Sequence, residues 1–410
     1  MMGANPEKQR SVIISGLAAL IPFGPLRGAR LLTRSFVKLS FLVALCLLLS
    51  ACGGDQTPPS QQQTTSLLAK RALVTNLFTG EIHIVDAQLD VVSLFRTSAG
   101  NQPSFMVEAA DKRITIVFNA LDNSMSVIDN ATERETGRIN LTAFTESIAL
   151  SSNAQRAYAA LRNPGLVAVI DLTNGNLSVV AVPTVRRLVL SPDGSRLLAF
   201  SDDSNSLTVI DTSTNAPTVV AGFDRPTWGV FSSDGSVAYI LNCGPQCGGT
   251  TASIRALDMA TNTPGASVVV SAATIAVRDG SRLLVAGTAA GGGRLDVVDI
   301  PALTVSSSGT VISDGFHHVM ALTSNGKLFI GARTCSNVVE GCLSIVNTSG
   351  LSVAMNPPRG EVTGLQPIDG RDVVYVAEGG ELRIYSTTTD SLTATQINFV
   401  GNIADVKLID

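Results

Sequence analysis

A short strand of alternating residues that ends in a polar residue recurs eight times along the chain. In six copies the last residue is an aspartate, as in IHIVD ending at Asp86 and LTVID ending at Asp211, whereas two weaker copies end at Asn347 and Ser386. Successive copies lie 39 to 48 residues apart. A period of about 40–45 residues, with four short strands in each unit, is typical of a β-propeller blade. The sequence therefore predicts an all-β propeller with eight four-stranded blades.

The other strands of each unit follow in a fixed order, which we label a to d, with the recurring strand as c. In one unit they are RRLVL (186–190), RLLAF (196–200), LTVID (207–211) and TVV (218–220), with the turn SPDG between strands a and b. The first unit starts directly at a strand b, RALVTN (71–76), and the last segment, IADVKLI (403–409), is a strand a without a unit. Pairing these two segments would close the ring and remove both sheet edges.

Several segments resemble the YVTN family of bacterial and archaeal surface β-propellers. They are LVTN (73–76), SPDG (191–194), SLTVIDTSTNAPTVV (206–220) and VVYVAEGGELRIYSTTTDSL (373–392). The resemblance covers roughly residues 70–410 and implies a repeat architecture, but it implies hardly anything about biochemical function. Members of the family are commonly seven-bladed, so seven blades are the alternative to the eight that the recurring strands indicate.

The N-terminal segment carries the pattern of an export signal. Basic residues from Arg27 to Lys38 precede an apolar run from Leu39 to Leu49, which is too short to span a membrane. The following residues, LSAC (49–52), resemble a bacterial lipobox, which implies cleavage before Cys52 and lipid on its thiol. An ordinary signal peptide with a chance cysteine is the alternative. We expect a signal peptide at 1–51, a lipidated cysteine and flexible tether at 52–66, and one propeller domain at 67–410.

A lipidated Cys52 would tie the protein to a membrane, since its acyl chains together give stable attachment. We therefore expect a lipid-anchored monomer in the bacterial cell envelope. Gly53, rather than an aspartate, follows the cysteine, which in the enterobacterial sorting rule favours the outer membrane. Both a periplasmic and a surface-exposed position remain open.

Two cysteine pairs lie between strands b and c of their own units. They are Cys243 with Cys247 and Cys335 with Cys342. In an exported protein such local pairs predict two disulfides that hold extended b–c loops. The alternative is a four-cysteine zinc site, which the spacing and the separation of the pairs by two blades disfavour.

The candidate binding residues lie just before or at the start of each strand a, because strands a line the channel of a propeller and ligands enter beside the d–a and b–c loops. Planar guanidinium groups recognise carboxylate or phosphate, so the arginines predict an anion-binding funnel. Capping of strand ends by the same arginines is the alternative. The predicted ring at the channel mouth is Gln102, Glu146, Arg186, Arg187, Arg225, Trp228, His317, His318, Arg359, Glu361 and Asn402.

Two of the three histidines are adjacent at this ring. Neighbouring residues of a strand face opposite sides, so at most one of His317 and His318 points into the channel. A metal ligand or general base is one interpretation. A core-facing and a solvent-facing histidine is the other. For the recurring aspartates we expect structural hydrogen bonds to a neighbouring turn.

Composition and missing motifs limit the function classes. Charged residues make up 15% of the chain and its net charge is -4, which argues against nucleic-acid binding. The sequence holds no common catalytic or nucleotide-binding motif, so we expect no cofactor and no metal. The favoured function is a binding module for a protein or small molecule. The alternatives are an enzyme of the lactone-hydrolase type, with Glu146, Glu361 or His318 converging on a metal in the channel, and a structural surface or adhesion protein.

Overall fold

A computed structural model describes residues 65–410 apart from residues 202 and 338. Within them, 32 strands form eight separate sheets, each with four antiparallel strands. This confirms the predicted all-β propeller with eight blades, and the alternative of seven blades is wrong. Cys52, the predicted signal peptide and most of the tether lie outside the described residues, so the predicted segment boundaries remain predictions.

The first four blades occupy the chain from Arg71 to Ala221, together with the C-terminal strand that completes the first blade. The first contains β1 (Arg71–Asn76), β2 (Glu81–Asp86) and β3 (Val91–Ser98), and its fourth strand is β32 (Ile403–Leu408). The second contains β4 (Pro103–Glu108), β5 (Ile114–Asn119), β6 (Ser124–Asp129) and β7 (Arg134–Asn140). The third contains β8 (Ile148–Leu150), β9 (Arg156–Leu161), β10 (Leu166–Asp171) and β11 (Leu177–Ala181). The fourth contains β12 (Arg187–Leu190), β13 (Arg196–Phe200), β14 (Ser206–Asp211) and β15 (Ala216–Ala221).

The other four blades follow without interruption. The fifth contains β16 (Pro226–Phe231), β17 (Val237–Asn242), β18 (Ser253–Asp258) and β19 (Thr263–Val269). The sixth contains β20 (Ile275–Asp279), β21 (Arg282–Ala289), β22 (Gly292–Asp299) and β23 (Thr304–Ile312). The seventh contains β24 (Phe316–Leu322), β25 (Lys327–Arg333), β26 (Leu343–Asn347) and β27 (Val353–Met355). The eighth contains β28 (Val362–Pro367), β29 (Val373–Glu378), β30 (Glu381–Ser386) and β31 (Ser391–Leu392).

The strands a of successive blades contact one another around the whole ring, from β4 through β28 to β32 and back to β4. They therefore line the central channel. Strands b are buried on both faces, because each blade is packed between two neighbours. Leu197 and Leu198 of β13 show this, since these adjacent residues join two different core clusters, one shared with the third blade and one with the fifth.

The C-terminal strand closes the ring as the sequence predicts. In the register of β32 with β1, Ala72 lies opposite Leu408 and Val74 lies opposite Val406. Both residues of β32 join the core cluster between the eighth and first blades. Asp405 also reaches the second blade, where its Oδ2 accepts a hydrogen bond from the backbone N–H of Met106 at 2.8 Å.

The recurring polar residue at the end of strand c holds the turn that follows it. Asp211 Oδ1 accepts hydrogen bonds from the backbone N–H of Ser213 at 2.9 Å and from its hydroxyl at 2.6 Å. The Ser213 hydroxyl is the largest of the causes that lower the pKa of Asp211 to about 2. Equivalent side-chain bonds to the following turn are made by Asp86, Asp129, Asp171, Asp258, Asn347 and Ser386. The repeat residue therefore has a structural role.

Helix is almost absent from the described part of the chain, where a single 3-10 turn, Gly244–Cys247, lies in the b–c loop of the fifth blade. Over these same residues, no helix has both the length and the apolar character needed to cross a membrane.

Candidate binding site in the central channel

Both predicted disulfides are present, in the b–c loops of the fifth and seventh blades. The Cα atoms are 5.6 Å apart in Cys243–Cys247 and 5.7 Å apart in Cys335–Cys342. A cysteine in a disulfide offers no thiolate to a metal, so the alternative of a four-cysteine zinc site is wrong.

In both the fifth and the seventh blade, an aspartate two residues before strand a also fixes the b–c loop. Asp224 lies two residues before β16 and accepts hydrogen bonds from the backbone N–H groups of Thr250 at 2.7 Å and Thr251 at 2.8 Å. Burial raises the pKa of Asp224, but these bonds, together with one from the Thr250 hydroxyl, outweigh it and lower the pKa overall. Asp314 lies two residues before β24 and accepts from the Ser336 N–H at 3.0 Å. Both loops are thereby tied to the start of strand a, at the mouth of the channel.

Three side chains from three blades meet at the channel mouth. The Arg187 guanidinium carbon lies 5.4 Å from the centroid of the Trp228 ring and 5.6 Å from the centroid of the Phe316 ring. A cation over aromatic faces is an attractive contact. Cys247 borders the small pocket that contains Arg187 and Phe316, so the disulfide-held loop of the fifth blade forms part of its wall. We call Arg187, Trp228 and Phe316 the mouth cluster.

His318 lies beside the mouth cluster and stays neutral at physiological pH. Burial lowers its pKa to about 3, with the positive charges of Arg333 and Arg187 as further causes. The side chain is half-buried, and its Nε2 is shielded from solvent without a hydrogen-bond partner among the described residues. The guanidinium groups of Arg333 and Arg187 are thus close enough to disfavour a positive charge on His318.

His317 is buried in the core, whereas His318 is only half-buried, and the register of β24 with β25 shifts at this pair. His317 is 0% exposed, and its Nε2 lies 2.9 Å from the carbonyl oxygen of Ser313. Since that oxygen can only accept, Nε2 carries the proton, and Nδ1 lies 3.4 Å from the Thr288 hydroxyl. Burial lowers the pKa of His317 to about 4. It is a neutral core histidine, and the channel side of the pair is His318.

The other predicted residues are spread around the rim and engage their own loops. Glu146 accepts a hydrogen bond from Arg186 Nε at 2.6 Å, and Glu361 accepts one from the Thr334 backbone N–H at 3.0 Å. Backbone groups of Gln102, Arg225 and Asn402 bond to residues of adjacent strands or turns. Arg359 Nε is buried without a hydrogen-bond partner among the described residues. The complete anion funnel stays a prediction, because Arg186 is bound to a carboxylate and Arg187 is stacked on aromatic rings.

Glu146, Glu361 and His318 do not form a metal centre. Within residues 65–410, leaving out 202 and 338, no group of three or more His, Cys, Asp or Glu side chains is placed to hold a metal ion. Glu146 is paired with Arg186. His318 lies near the positive charges of Arg333 and Arg187. The lactone-hydrolase alternative therefore gains no support from this geometry.

One concave surface along the channel includes Trp228 but otherwise has no counterpart among the residues that the sequence singles out. A cavity of about 460 Å³ lies along the strands a of the fourth, fifth and sixth blades. Residues in its wall include Val189, Leu190, Trp228, Val230, Val277 and Arg278. Apolar residues in a strand a resemble core residues in the sequence. The only signal of this surface is the arginine in the otherwise apolar segment TIAVR (274–278).

Comparison with known proteins supports the architecture. No protein-family model and no curated protein matches the chain. Among solved structures, dihydro-heme d1 dehydrogenase NirN aligns with a TM-score of 0.66 at 12% identity, over 82% of this chain and 74% of that one. Hydrazine synthase of Kuenenia stuttgartiensis aligns at 0.54 and 16% identity, over 72% and 95% of the two chains. The Cps50 (Swd1) β-propeller domain of Myceliophteria thermophila aligns at 0.54 and 14% identity, over 69% and 96%.

These likenesses show the fold alone. At such low identity they carry no ligand, substrate or activity to this chain. The resemblance to the YVTN family stays a prediction.

Proposed function

We propose that this chain is a bacterial envelope lipoprotein, anchored through lipid on Cys52, whose propeller binds a ligand or a protein partner at the channel mouth. The observation that carries the binding role is the mouth cluster, in which the Arg187 guanidinium lies over the rings of both Trp228 and Phe316. Side chains from separate blades converge there on a rigid scaffold, which is how propellers and similar folds build binding sites.

The chemistry of the mouth favours an anionic group on the ligand or partner. The charges of Arg187 and Arg333 both reach His318 and help to lower its pKa. Guanidinium groups form strong, directed hydrogen bonds with carboxylates and phosphates, and a concave site focuses their field. The disulfide that holds Cys247 at the border of the mouth keeps this geometry in place.

The electropositive mouth can be tested with Trp228, which is the only tryptophan of the chain. In the purified full-length protein, we expect iodide to quench its fluorescence efficiently relative to caesium. Arg187→Gln should lower the iodide-to-caesium quenching ratio by about twofold or more, since it removes one charge next to the ring. Arg134→Gln in β7 removes the same charge from an outer strand and should leave the ratio unchanged. An equal ratio in the wild type and Arg187→Gln would remove the main support for binding at the mouth.

The membrane anchor is tested by Cys52→Ser. We expect this variant to lose labelling by radioactive palmitate completely, because no thiol remains to accept the diacylglycerol. The mature protein should therefore be absent from the membrane fraction. Cys46→Ser, which changes the cysteine within the apolar run, is the matched control and should keep the label. Undiminished label on Cys52→Ser would exclude the lipoprotein assignment and leave the binding proposal standing.

A further inference from the structure

We infer that the channel cavity of about 460 Å³ is a second binding site, for a small amphipathic carboxylate whose apolar part lies on Trp228, Val230 and Val277 and whose carboxylate meets Arg278. This goes beyond the proposed function, because the cavity shares Trp228 with the mouth cluster but extends from it toward the opposite end of the channel. Its wall includes Ser232 in the turn between strands a and b, whereas the mouth lies where strands a begin.

The size and lining of the cavity fit a small molecule. Binding pockets for such ligands measure roughly 300–1,000 Å³ and combine a mostly apolar wall with a few polar groups. Here Val189, Val230 and Val277 supply the apolar wall, and each is only partly buried by its neighbours. Covering this exposed apolar surface with a ligand is favourable, since it removes the surface from water.

Arg278 supplies the single cation of the wall. None of the described carboxylates forms an ion pair with it, whereas the adjacent Asp279 is paired with Arg282. The charges of Asp234 and Arg278 both act on Tyr239, whose pKa the first raises and the second lowers. Asp234 is already bonded by the hydroxyls of Ser232 and Ser236. A half-buried guanidinium beside an apolar wall is therefore left for an anion from outside the chain.

A single arginine in the wall selects the charge of the ligand. The guanidinium of Arg278 can bond both oxygens of a carboxylate in parallel. A doubly charged phosphate would meet the same single cation and would leave one of its charges uncompensated beside an apolar wall. The chemistry of the cavity therefore favours a monoanion with an apolar body.

The test uses three soluble probes with the same phenylbutyl body: phenylbutyrate, phenylbutanol and phenylbutylamine. They are titrated into the purified full-length protein in non-ionic detergent at neutral pH, and the fluorescence of Trp228 in the cavity wall is followed. We expect saturable binding of phenylbutyrate, weaker binding of the alcohol and the weakest binding of the amine. Arg278→Gln should raise the Kd for phenylbutyrate by about tenfold to a hundredfold, the usual effect of losing a charged hydrogen bond, and leave the Kd for the alcohol unchanged.

Two further variants keep the test decisive. Arg278→Lys retains the charge but not the paired hydrogen bonds, so its affinity for phenylbutyrate should lie between those of the wild type and Arg278→Gln, and Arg134→Gln should bind like the wild type. The inference is overturned if phenylbutyrate does not bind saturably, or if Arg278→Gln binds it as tightly as the wild type. If Arg187→Gln instead abolishes binding while Arg278→Gln does not, the carboxylate binds at the mouth. The second site would then be excluded and the proposed function strengthened.

Discussion

Removal of residues 403–410 is expected to abolish the cooperative folding of the propeller. These residues form β32, the innermost strand of the first blade, so their loss leaves β1 with an unpaired edge inside the ring. Ile403, Val406 and Leu408 are 1%, 0% and 0% exposed. Deleting a buried side chain of this size costs about 2–5 kcal/mol, and three of them together match the ~5–15 kcal/mol that separates a typical folded domain from its unfolded state.

Polar contacts that join distant parts of the chain would be lost with this strand. Arg71 in β1 is paired with Asp410 as well as with Glu133 of the second blade, and Asp405 bonds to the second blade through Met106. Because these contacts link the end of the chain to its first two blades, the deletion removes both the packing and the polar closure of the ring.

Thermal unfolding followed by circular dichroism, together with size-exclusion chromatography, would measure the effect. We expect the truncated protein to aggregate through its open edge and to show no cooperative transition. Arg134→Gln changes a partly exposed residue of the outer strand β7 and should shift the melting temperature by only a few degrees. A truncated protein that melts cooperatively within a few degrees of the wild type would contradict the structural role of β32.

Acidification from about pH 6.5 to pH 4 is expected to cost about 3 kcal/mol of stability through His317 alone. Its pKa falls from 6.5 in the unfolded chain to about 4 in the fold, because burial disfavours the charged ring. A group whose folded pKa is depressed in this way stabilises the protein above the unfolded pKa, and this contribution is lost as the pH falls through the folded value. Asp314 opposes the shift only weakly, and His318 is expected to add a loss of the same sign.

The aspartates of the turns lose their contribution in a lower pH range, which separates the two effects. Hydrogen bonds lower the pKa of Asp211 and Asp234 from 3.8 to about 2, so their contribution to stability is lost mainly as the pH falls from about 4 to 2. A loss of stability between pH 6.5 and 4 is therefore the expected mark of the buried histidines.

Urea unfolding at pH 7 and pH 4.5 would measure this loss. His317→Gln keeps an N–H that can donate to the Ser313 carbonyl but cannot take up a proton, so we expect a clearly smaller loss than in the wild type. His83→Gln is the control. The pKa of His83 is also lowered by burial, but its side chain is 13% exposed. We therefore expect this variant to lose about as much stability as the wild type. Equal losses in the wild type and His317→Gln would show that His317 is not the acid-sensitive group.

The repeat architecture could be predicted from the sequence because it depends on short-range patterns. Alternation within each strand c, the turn residues and the spacing between copies are all local properties, and they led to eight blades even where the pattern weakens at Asn347 and Ser386. The unpaired segment 403–409 and the lone strand b at 71–76 likewise implied their long-range partnership. The two disulfides followed from cysteines that are close in the chain.

Contacts across the channel were decided only by the tertiary structure. Alternation predicts that His317 and His318 face opposite sides, but the positions of the neighbouring blades decide that the first is in the core and the second beside Arg187. In the same way, Val230 and Val277 have the pattern of core residues and instead line an open cavity. Which apolar side chains remain uncovered, and which charges from distant blades meet, depends on the width of the closed ring, and no local pattern in the chain encodes that width.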